Sequence, residues 1–228
     1  LPVDIPKYST PVKAQSPVTA SSASTLKAAP DETKVLAQLQ VDPSTTLEVG
    51  PGRYFFPNGM DLRGELKAQS DVTPDKPIVF FVGGDASLTD TARVNLGGHA
   101  ASLQVYFVDR QQDAKQQLQM EGASQFFGTV VGNRVEGLLS GQAELYGGFL
   151  GRSMKAEDSA KLIFDETLKS TPLQESANWG LNGVTEPKPE RVLQKSLVIR
   201  QVVAKVKNRT IAYKPSVGKV QTVPGSTM

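Results

Sequence analysis

Apolar residues recur in the middle of the chain within a short block that is repeated four times. Each copy has a turn residue, a spacer, a small residue, a polar residue and a large apolar residue. The four copies are residues 90–95, 122–127, 141–146 and 158–163. The small residues Ser124 and Ala143 are 19 positions apart, and Ala143 and Ala160 are 17 apart. A unit of about 18 residues is too short for a helix-pair repeat and fits one small coil of a β-solenoid.

The second and third copies continue with one shared pattern. Residues 127–132 superpose on residues 146–151 at a constant offset of 19, which makes Phe127 and Tyr146 equivalent. Since one coil cannot bury its own apolar side, the coils must stack. Two equivalent rings in successive coils are then expected to lie on each other as a ladder. The alternative is an exposed aromatic stripe of the kind that binds carbohydrate.

We therefore predict an all-β fold, a single-stranded right-handed β-solenoid of roughly six short coils with extended N- and C-terminal arms, about 30 Å long at ~4.8 Å per coil. From residue 45 onward, short stretches with a period of two are separated by glycine corners. Residues 78–82 are apolar at every position, as expected for a strand covered on both faces. The acidic residues at repeat positions, Asp90, Glu121 and Asp158, are interpreted as turn residues because glycine replaces them in other copies.

The predicted organisation has three parts. Residues 1–30 are rich in Pro, Ser and Thr and form an extended arm, residues 31–170 form the solenoid, and residues 171–228 form a basic arm that contains a β-strand. A capping helix is predicted over residues 31–40, which begin with acidic residues and place three apolar side chains on one helical face. The polar residues 109–117 are predicted to be an exposed loop.

The C-terminal arm is predicted to contain a strand from Ser196 to Tyr213 that pairs with a neighbouring subunit. Its apolar edge lies outside the repeat that could bury it. The predicted subunit-interface residues are Leu197, Ile199, Val202, Ala204, Lys205, Val206, Lys207 and Arg209. The total charge is +2, and residues 188–228 carry nine Lys or Arg against Glu190, a net of +8, so that residues 1–187 carry −6. The alternative is that the strand folds back along its own solenoid.

The composition argues against disulfides, metal sites, cofactor binding and catalysis. The chain has no cysteine and a single histidine, His99, which follows two glycines. Disulfides and cysteine metal sites are therefore excluded, a zinc site is not expected, and a lone histidine in a glycine turn predicts a structural role. No nucleotide-binding fingerprint is present, no cofactor or nucleic-acid partner is expected, and no segment approaches the ~18 apolar residues of a membrane span. We do not expect an enzyme.

Several motifs resemble a domain of unknown function that occurs in bacterial cell-surface proteins, many of which carry a type IV pilin-like N-terminal helix. The motifs are residues 47–56, 82–88, 127–131, 145–151 and 163–168. The repeat also resembles that of bactofilins, whose coils stack end to end into filaments. The resemblance implies an extracellular or cell-surface location and supplies no catalytic residues.

The function predicted from the sequence is that of a structural subunit in a bacterial cell-surface or extracellular filament or pilus-like assembly. Open solenoid ends must be capped or joined to another subunit, and the terminal arms would exchange strands. Its partners would be copies of itself, with other surface or pilus proteins as further candidates. The alternative is a monomeric adhesin-like solenoid that binds a glycan or a surface protein.

Overall fold

The computed structural model of the chain describes residues 17–20, 24–29, 33–108 and 115–169, together with the backbone of residues 202–206 and 209–213. These residues contain twenty β-strands, numbered β1 to β20 in chain order, two short 3₁₀ turns, Ala100–Ser102 and Glu166–Lys169, and no α-helix. The strands stack in parallel as a solenoid of about six turns. The predicted β-solenoid is thereby confirmed.

Each of the first four turns contributes one strand to each of three faces, and in the next two turns a single long strand spans faces B and C. Face A contains β1 (Val18–Ala20), β4 (Leu39–Val41), β7 (Met60–Leu62), β10 (Ala86–Leu88), β13 (Gln116–Met120), β15 (Val135–Leu139) and β17 (Ser153–Ala156), followed by β19 (Val202–Val206) and β20 (Arg209–Tyr213). Face B contains β2 (Ser24–Leu26), β5 (Thr46–Val49), β8 (Glu65–Ala68), β11 (Arg93–Val94), the first halves of β14 (Gln125–Val131) and β16 (Glu144–Leu150), and β18 (Lys161–Phe164). Face C contains β3 (Thr33–Val35), β6 (Gly52–Phe56), β9 (Ile78–Val82), β12 (Leu103–Phe107) and the second halves of β14 and β16.

The interior is filled by columns of apolar side chains, one residue from each turn. On face A, for example, Leu39, Met60, Ala86 and Leu118 are successive register partners, and all four are buried. On face C, the Phe80 ring meets Tyr54 and Phe56 edge to face, with centroids 5.7 and 5.2 Å away. Because each buried side chain of this size contributes about 1.5–3 kcal/mol, the columns hold the turns together.

The repeated small residues form one of these columns, as predicted. The carbonyl of Ser124 accepts a hydrogen bond from the Glu144 amide at 2.9 Å, and that of Ala143 accepts one from Lys161 at 2.8 Å. Ser124 and Ala143 are completely buried. The turn residues just before them, at positions 90, 122, 141 and 158, all have φ between 57° and 69°, which confirms that Asp90 and Asp158 are turn residues.

Ala143→Leu should therefore overpack the stack and lower the free energy of unfolding by about 1–3 kcal/mol. The same change at Ala160, which is only partly buried in the last turn, is the matched control and should cost less. Chemical denaturation of both variants measures the difference. A neutral Ala143→Leu substitution would contradict the register.

The predicted N-terminal organisation was wrong in two respects. Strands β3 and β4 occupy the place of the helix predicted over residues 31–40, because β6 and β7 supply partners along the stack: the Leu36 amide donates to the Phe55 carbonyl at 2.9 Å. The solenoid also begins before residue 31, since β1 and β2 lie within the predicted arm and pair with β4 and β5. Residues 1–16 lie outside the described part of the chain.

The exposed loop predicted over residues 109–117 was wrong at its C-terminal end. Residues 109–114 lie outside the described residues, and β13 begins at Gln116. The Gln116 side chain is buried, and its Nε2 donates to the carbonyls of Val108 at 3.2 Å and Val82 at 3.3 Å. A glutamine whose amide is satisfied in this way can join the interior, which its polarity alone did not indicate.

Candidate functional site

The outward side chains of face B change character along the solenoid. One outward column is polar in the first turns and apolar in the last ones. In chain order it contains Thr25, Glu48 and Lys67 in the first turns and Phe127, Tyr146 and Ile163 in the last ones. The Phe127 and Tyr146 rings are stacked, with centroids 5.0 Å apart and planes at 26°, which confirms the predicted ladder. Ile163 ends the column and is 39% exposed, so an apolar strip leads to the last strand of this face.

Beside it runs a column of hydrogen-bonded polar side chains. Gln125 Nε2 donates to Glu144 at 3.0 Å, and Lys161 Nζ donates to the same carboxylate at 2.6 Å. The hydrogen bond from Lys161, with that from Gln125, lowers the pKa of Glu144. This carboxylate is thus held ionised on an open strand surface, as in a structural ladder, and not raised toward neutrality as a general acid requires.

The other residues that could act in catalysis or bind a metal ion do not form a common site. His99 is exposed, and its carbonyl accepts a hydrogen bond from the Ser102 amide at 2.9 Å. Within the described residues, no three His, Asp or Glu side chains are grouped so as to hold a metal ion. No helix in this part of the chain is long and apolar enough to cross a membrane.

A groove of about 630 Å³ lies on face B near its first turns. It is lined mainly by side chains of alternating charge. They are Lys27, Glu48, Lys67, Ala68, Gln69, Ser70 and Asp71. Two lysines next to two carboxylates leave the groove with no net charge that would select an ionic ligand, and no aromatic ring forms its floor.

The outer side of face C has a second hydrophobic cluster, separate from the interior. Phe55, Phe81, Tyr106 and Val131 are successive register partners that point away from the interior, yet none is more than 4% exposed. All five residues of β9 are buried, which confirms that this strand is covered on both faces. Since it is already buried, the outer side of face C is not available as a binding surface.

Among the described residues, the two ends of the solenoid are the places where strands lack a partner on one side. Among the described strands, β18 pairs with β16 alone and β2 pairs with β5 alone, so face B ends in one strand edge at each end. At the last turn the interior is also less well covered: Phe149, Met154 and Leu162 are only partly buried. A strand edge beside partly exposed apolar side chains is a ready surface for pairing with another chain.

Face A ends differently, because two more strands follow β17. Residues Val203 and Ala204 of β19 are parallel register partners of Lys155 and Ala156, and β20 then pairs with β19 in the antiparallel direction. The single long strand predicted from Ser196 to Tyr213 was therefore wrong, since this region contains a hairpin. Its position on β17 of the same chain corresponds to the alternative in which the strand folds back.

The structure places five of the eight predicted interface residues in this hairpin. They are Val202, Ala204, Lys205 and Val206 in β19 and Arg209 in β20. Leu197, Ile199 and Lys207 lie outside the described residues. That these residues contact a neighbouring subunit remains a prediction.

Sequence reasoning missed the strand edges themselves. Strands β1 and β2 have three residues each, within a segment whose prolines and serines indicate a linker. The signal that could have found them is a likeness between distant segments: Val18-Thr19-Ala20 and Val202-Val203-Ala204 share two of three residues. Such a short match becomes informative only when both strands have been placed in one sheet.

Comparison with known proteins gives a family and one distant structural neighbour. No curated protein matches the chain. Among solved structures, it is similar to an ice-binding protein from an Antarctic bacterium of the Flavobacteriaceae, with 13% identity and a TM-score of 0.39 over 64% of this chain and 44% of that chain. The aligned part spans less than half of that protein. A family model matches residues 10–171, more than half of the chain. The chain belongs to the family described as a domain of unknown function, DUF7305.

Proposed function

We propose that this protein is a structural subunit of an extracellular or cell-surface assembly in which copies stack end to end through their solenoids. The observation that carries the proposal is the strand edge on face B at both ends, at β2 and at β18, with each edge strand paired on only one side among the described residues. Both strands run parallel to the rest of the stack, so a second copy placed head to tail continues the sheet. The surface location rests on the resemblance of the coil motifs to bacterial surface domains.

The register of face B defines which residues would meet. Continuing its columns from one copy into the next places Ile163 beside Thr25 and Phe164 beside Leu26. The first pair is β-branched in both members, and the second is apolar in both, so the residues of each pair match one another. Because the two surfaces differ and the contact does not close on itself, repeated stacking produces a filament.

A second function, adhesin-like binding by a monomer, is supported by the apolar strip of Phe127, Tyr146 and Ile163. Aromatic side chains on an open sheet face can contact sugar rings or a protein surface. Here the two rings lie on each other at 5.0 Å, so much of their area is already used within the ladder. End-to-end stacking also accounts for the partly exposed interior of the last turn, and we favour it for that reason.

Ile163→Lys tests the proposal. Ile163 is 39% exposed on the last strand of face B, so a lysine should change the stability of the free chain by less than about 0.5 kcal/mol. At a strand edge, however, lysine opposes pairing with another chain. We expect the concentration for half-association, measured by sedimentation velocity and electron microscopy, to rise about tenfold or more, which corresponds to ~1.4 kcal/mol.

Leu96→Lys is the matched control, because Leu96 is 38% exposed and lies outside the terminal turns. It should associate like the unchanged protein. Equal effects of the two substitutions would mean that general surface polarity, and not the end of face B, controls association. An unchanged chain that stays monomeric at all concentrations would overturn the stacking function and leave the adhesin-like function.

A further inference from the structure

The first strand of the C-terminal hairpin, β19, occupies a defined place in the stack. The outward column of face A runs from Thr19 of β1 through the intervening strands to Lys155 of β17. A second copy stacked on the last turn would place its own Thr19 beside Lys155 and its Ala20 beside Ala156. In the structure these two places are taken by Val203 and Ala204. β19 therefore lies where β1 of a following copy would lie.

The two strands also share their sequence pattern. β1 is Val18-Thr19-Ala20, and the residues of β19 in the same register are Val202-Val203-Ala204. Val and Ala recur at the same places, and the residue between them is β-branched in both strands. The edge of β17 therefore meets the same backbone direction and nearly the same sequence of residue types from either strand.

The second strand of the hairpin ends the stack. β20 runs antiparallel to β19, with Val202 opposite Tyr213 and Val206 opposite Arg209. It is the only antiparallel pair among the named strands of the described chain. The next copy's β1, which must enter in the parallel direction, finds no parallel continuation beyond β20. Covering a sheet edge with another segment of the chain is one way in which proteins protect it from unwanted pairing.

We propose that β19 is an intramolecular substitute for β1 of the next copy: the hairpin caps face A in the free chain, and the next copy's β1 displaces it when copies stack. This inference rests on the proposed end-to-end stacking. It adds that β1 is the strand that pairs with the β17 edge of another copy, and that the hairpin limits this pairing. A segment tethered to the same chain competes at an effective concentration of about millimolar, so the cap would hold at low protein concentration. Only two residues of β19 have register partners in β17, compared with three between β1 and β4, so β1 of a next copy can form the longer pairing.

Cysteine pairs can test both states in the full chain, because the protein has no cysteine of its own. Adjacent strands are separated by about 4.8 Å, within the ~4.4–6.8 Å between Cα atoms that a disulfide allows. The variant Lys155→Cys/Val203→Cys can lock the cap. The variant Thr19→Cys/Lys155→Cys can link only two different copies, because six strand steps, about 29 Å, separate the positions within one solenoid.

With the first variant, oxidation should give monomers with an internal disulfide that do not associate at concentrations at which the reduced protein does. Reduction should restore association. With the second variant, oxidation of the associated protein should give a ladder of disulfide-linked dimers, trimers and longer species on a non-reducing gel. Both results together would establish the two competing occupants of the β17 edge.

Other outcomes overturn the inference in distinguishable ways. Linked oligomers from the first variant would show that the hairpin pairs between copies, as the sequence-based interface prediction holds. A locked monomer that associates normally would show that the hairpin does not compete, while the stacking function would stand. Association without a ladder from the second variant would exclude β1 as the partner. If neither the unchanged chain nor any reduced variant associates, the stacking function itself fails.

Discussion

Gly147→Ala should lower the free energy of unfolding by about 2–4 kcal/mol, one of the two largest effects we expect. Gly147 has a φ of +136°, a conformation that residues with a side chain rarely adopt. A methyl group there would also overlap the carbonyl oxygen of Gly128, its register partner in the previous turn, and would lie 3.0 Å from the Ala100 methyl. Since the obstacle is backbone in an adjacent strand, it can be relieved only by moving the turns apart.

The control for this prediction is Gly97→Ala. Gly97 also has a positive φ, +73°, but no atom lies within 4 Å of the place where its methyl group would be. It should therefore show the conformational cost alone, about 1–2 kcal/mol. Denaturant unfolding followed by circular dichroism gives both values. If the two substitutions cost the same, the close approach of Gly147 to the neighbouring turn does not limit the packing.

The equivalence of Gly128 and Gly147 illustrates what the sequence alone could predict. Segments 127–132 and 146–151 match at a constant offset, and in a stacked solenoid a constant offset is the register itself. The same reasoning found the buried column of Ser124 and Ala143 and the stacked pair of rings. Where the repeat is clear, a residue's position in one copy identifies the residue of the next turn that lies beside it.

The first turns could not be predicted in this way, because β1 to β4 have only three residues each, too few for the constant spacing of 21 between Val18, Leu39 and Met60 to be noticed. Leu36 and Leu39 are three residues apart, a spacing that fits one face of a short helix. Residues far along the chain determine that this segment forms strands: the Leu36 amide donates to the Phe55 carbonyl, and β4 lies between β1 and β7. A short apolar segment does not encode such non-local hydrogen bonds.

The candidate interface was only partly predictable for the same reason. The composition of the C-terminal arm indicated a strand outside the repeat, and β19 is such a strand. Its reversal into β20 and its place on β17 depend on which edge is open, and that is a property of the finished stack. Likewise, Ile163 lies at an open strand edge only because β18 is the last strand of face B, and the local sequence does not encode that position.

Raising the pH from about 10 to 12 should destabilise the fold through two buried tyrosines. Burial raises the pKa of Tyr54 to about 12, with the charge of Asp71 acting in the same direction and the hydrogen bond from the Ala28 amide opposing them. Burial also raises the pKa of Tyr106 to about 12. Both phenols therefore stay protonated in the folded chain at pH values at which the unfolded chain, with a pKa of 10.0, has lost these protons.

The sign follows from proton binding. Between pH 10 and 12 the unfolded state binds fewer protons than the folded state, so the free energy of unfolding falls as the pH rises. Stability is fully present below pH 10 and is lost through the window up to the folded pKa. At about 1.36 kcal/mol per pKa unit, the loss by pH 12 is up to ~2.7 kcal/mol for each tyrosine.

Tyr54→Phe and Tyr106→Phe separate the two contributions. Tyr54→Phe should be less stable at pH 8, since its hydroxyl donates to the Gly50 carbonyl at 2.9 Å and accepts from the Ala28 amide at 3.1 Å. The slopes of unfolding free energy against pH, and not the absolute values, are therefore compared. Each variant should lose about half of the slope between pH 10 and 12, and the double variant most of it, because the tyrosines belong to separate hydrophobic clusters and should act additively. Parallel curves for all four proteins would mean that neither phenol is kept neutral by the fold.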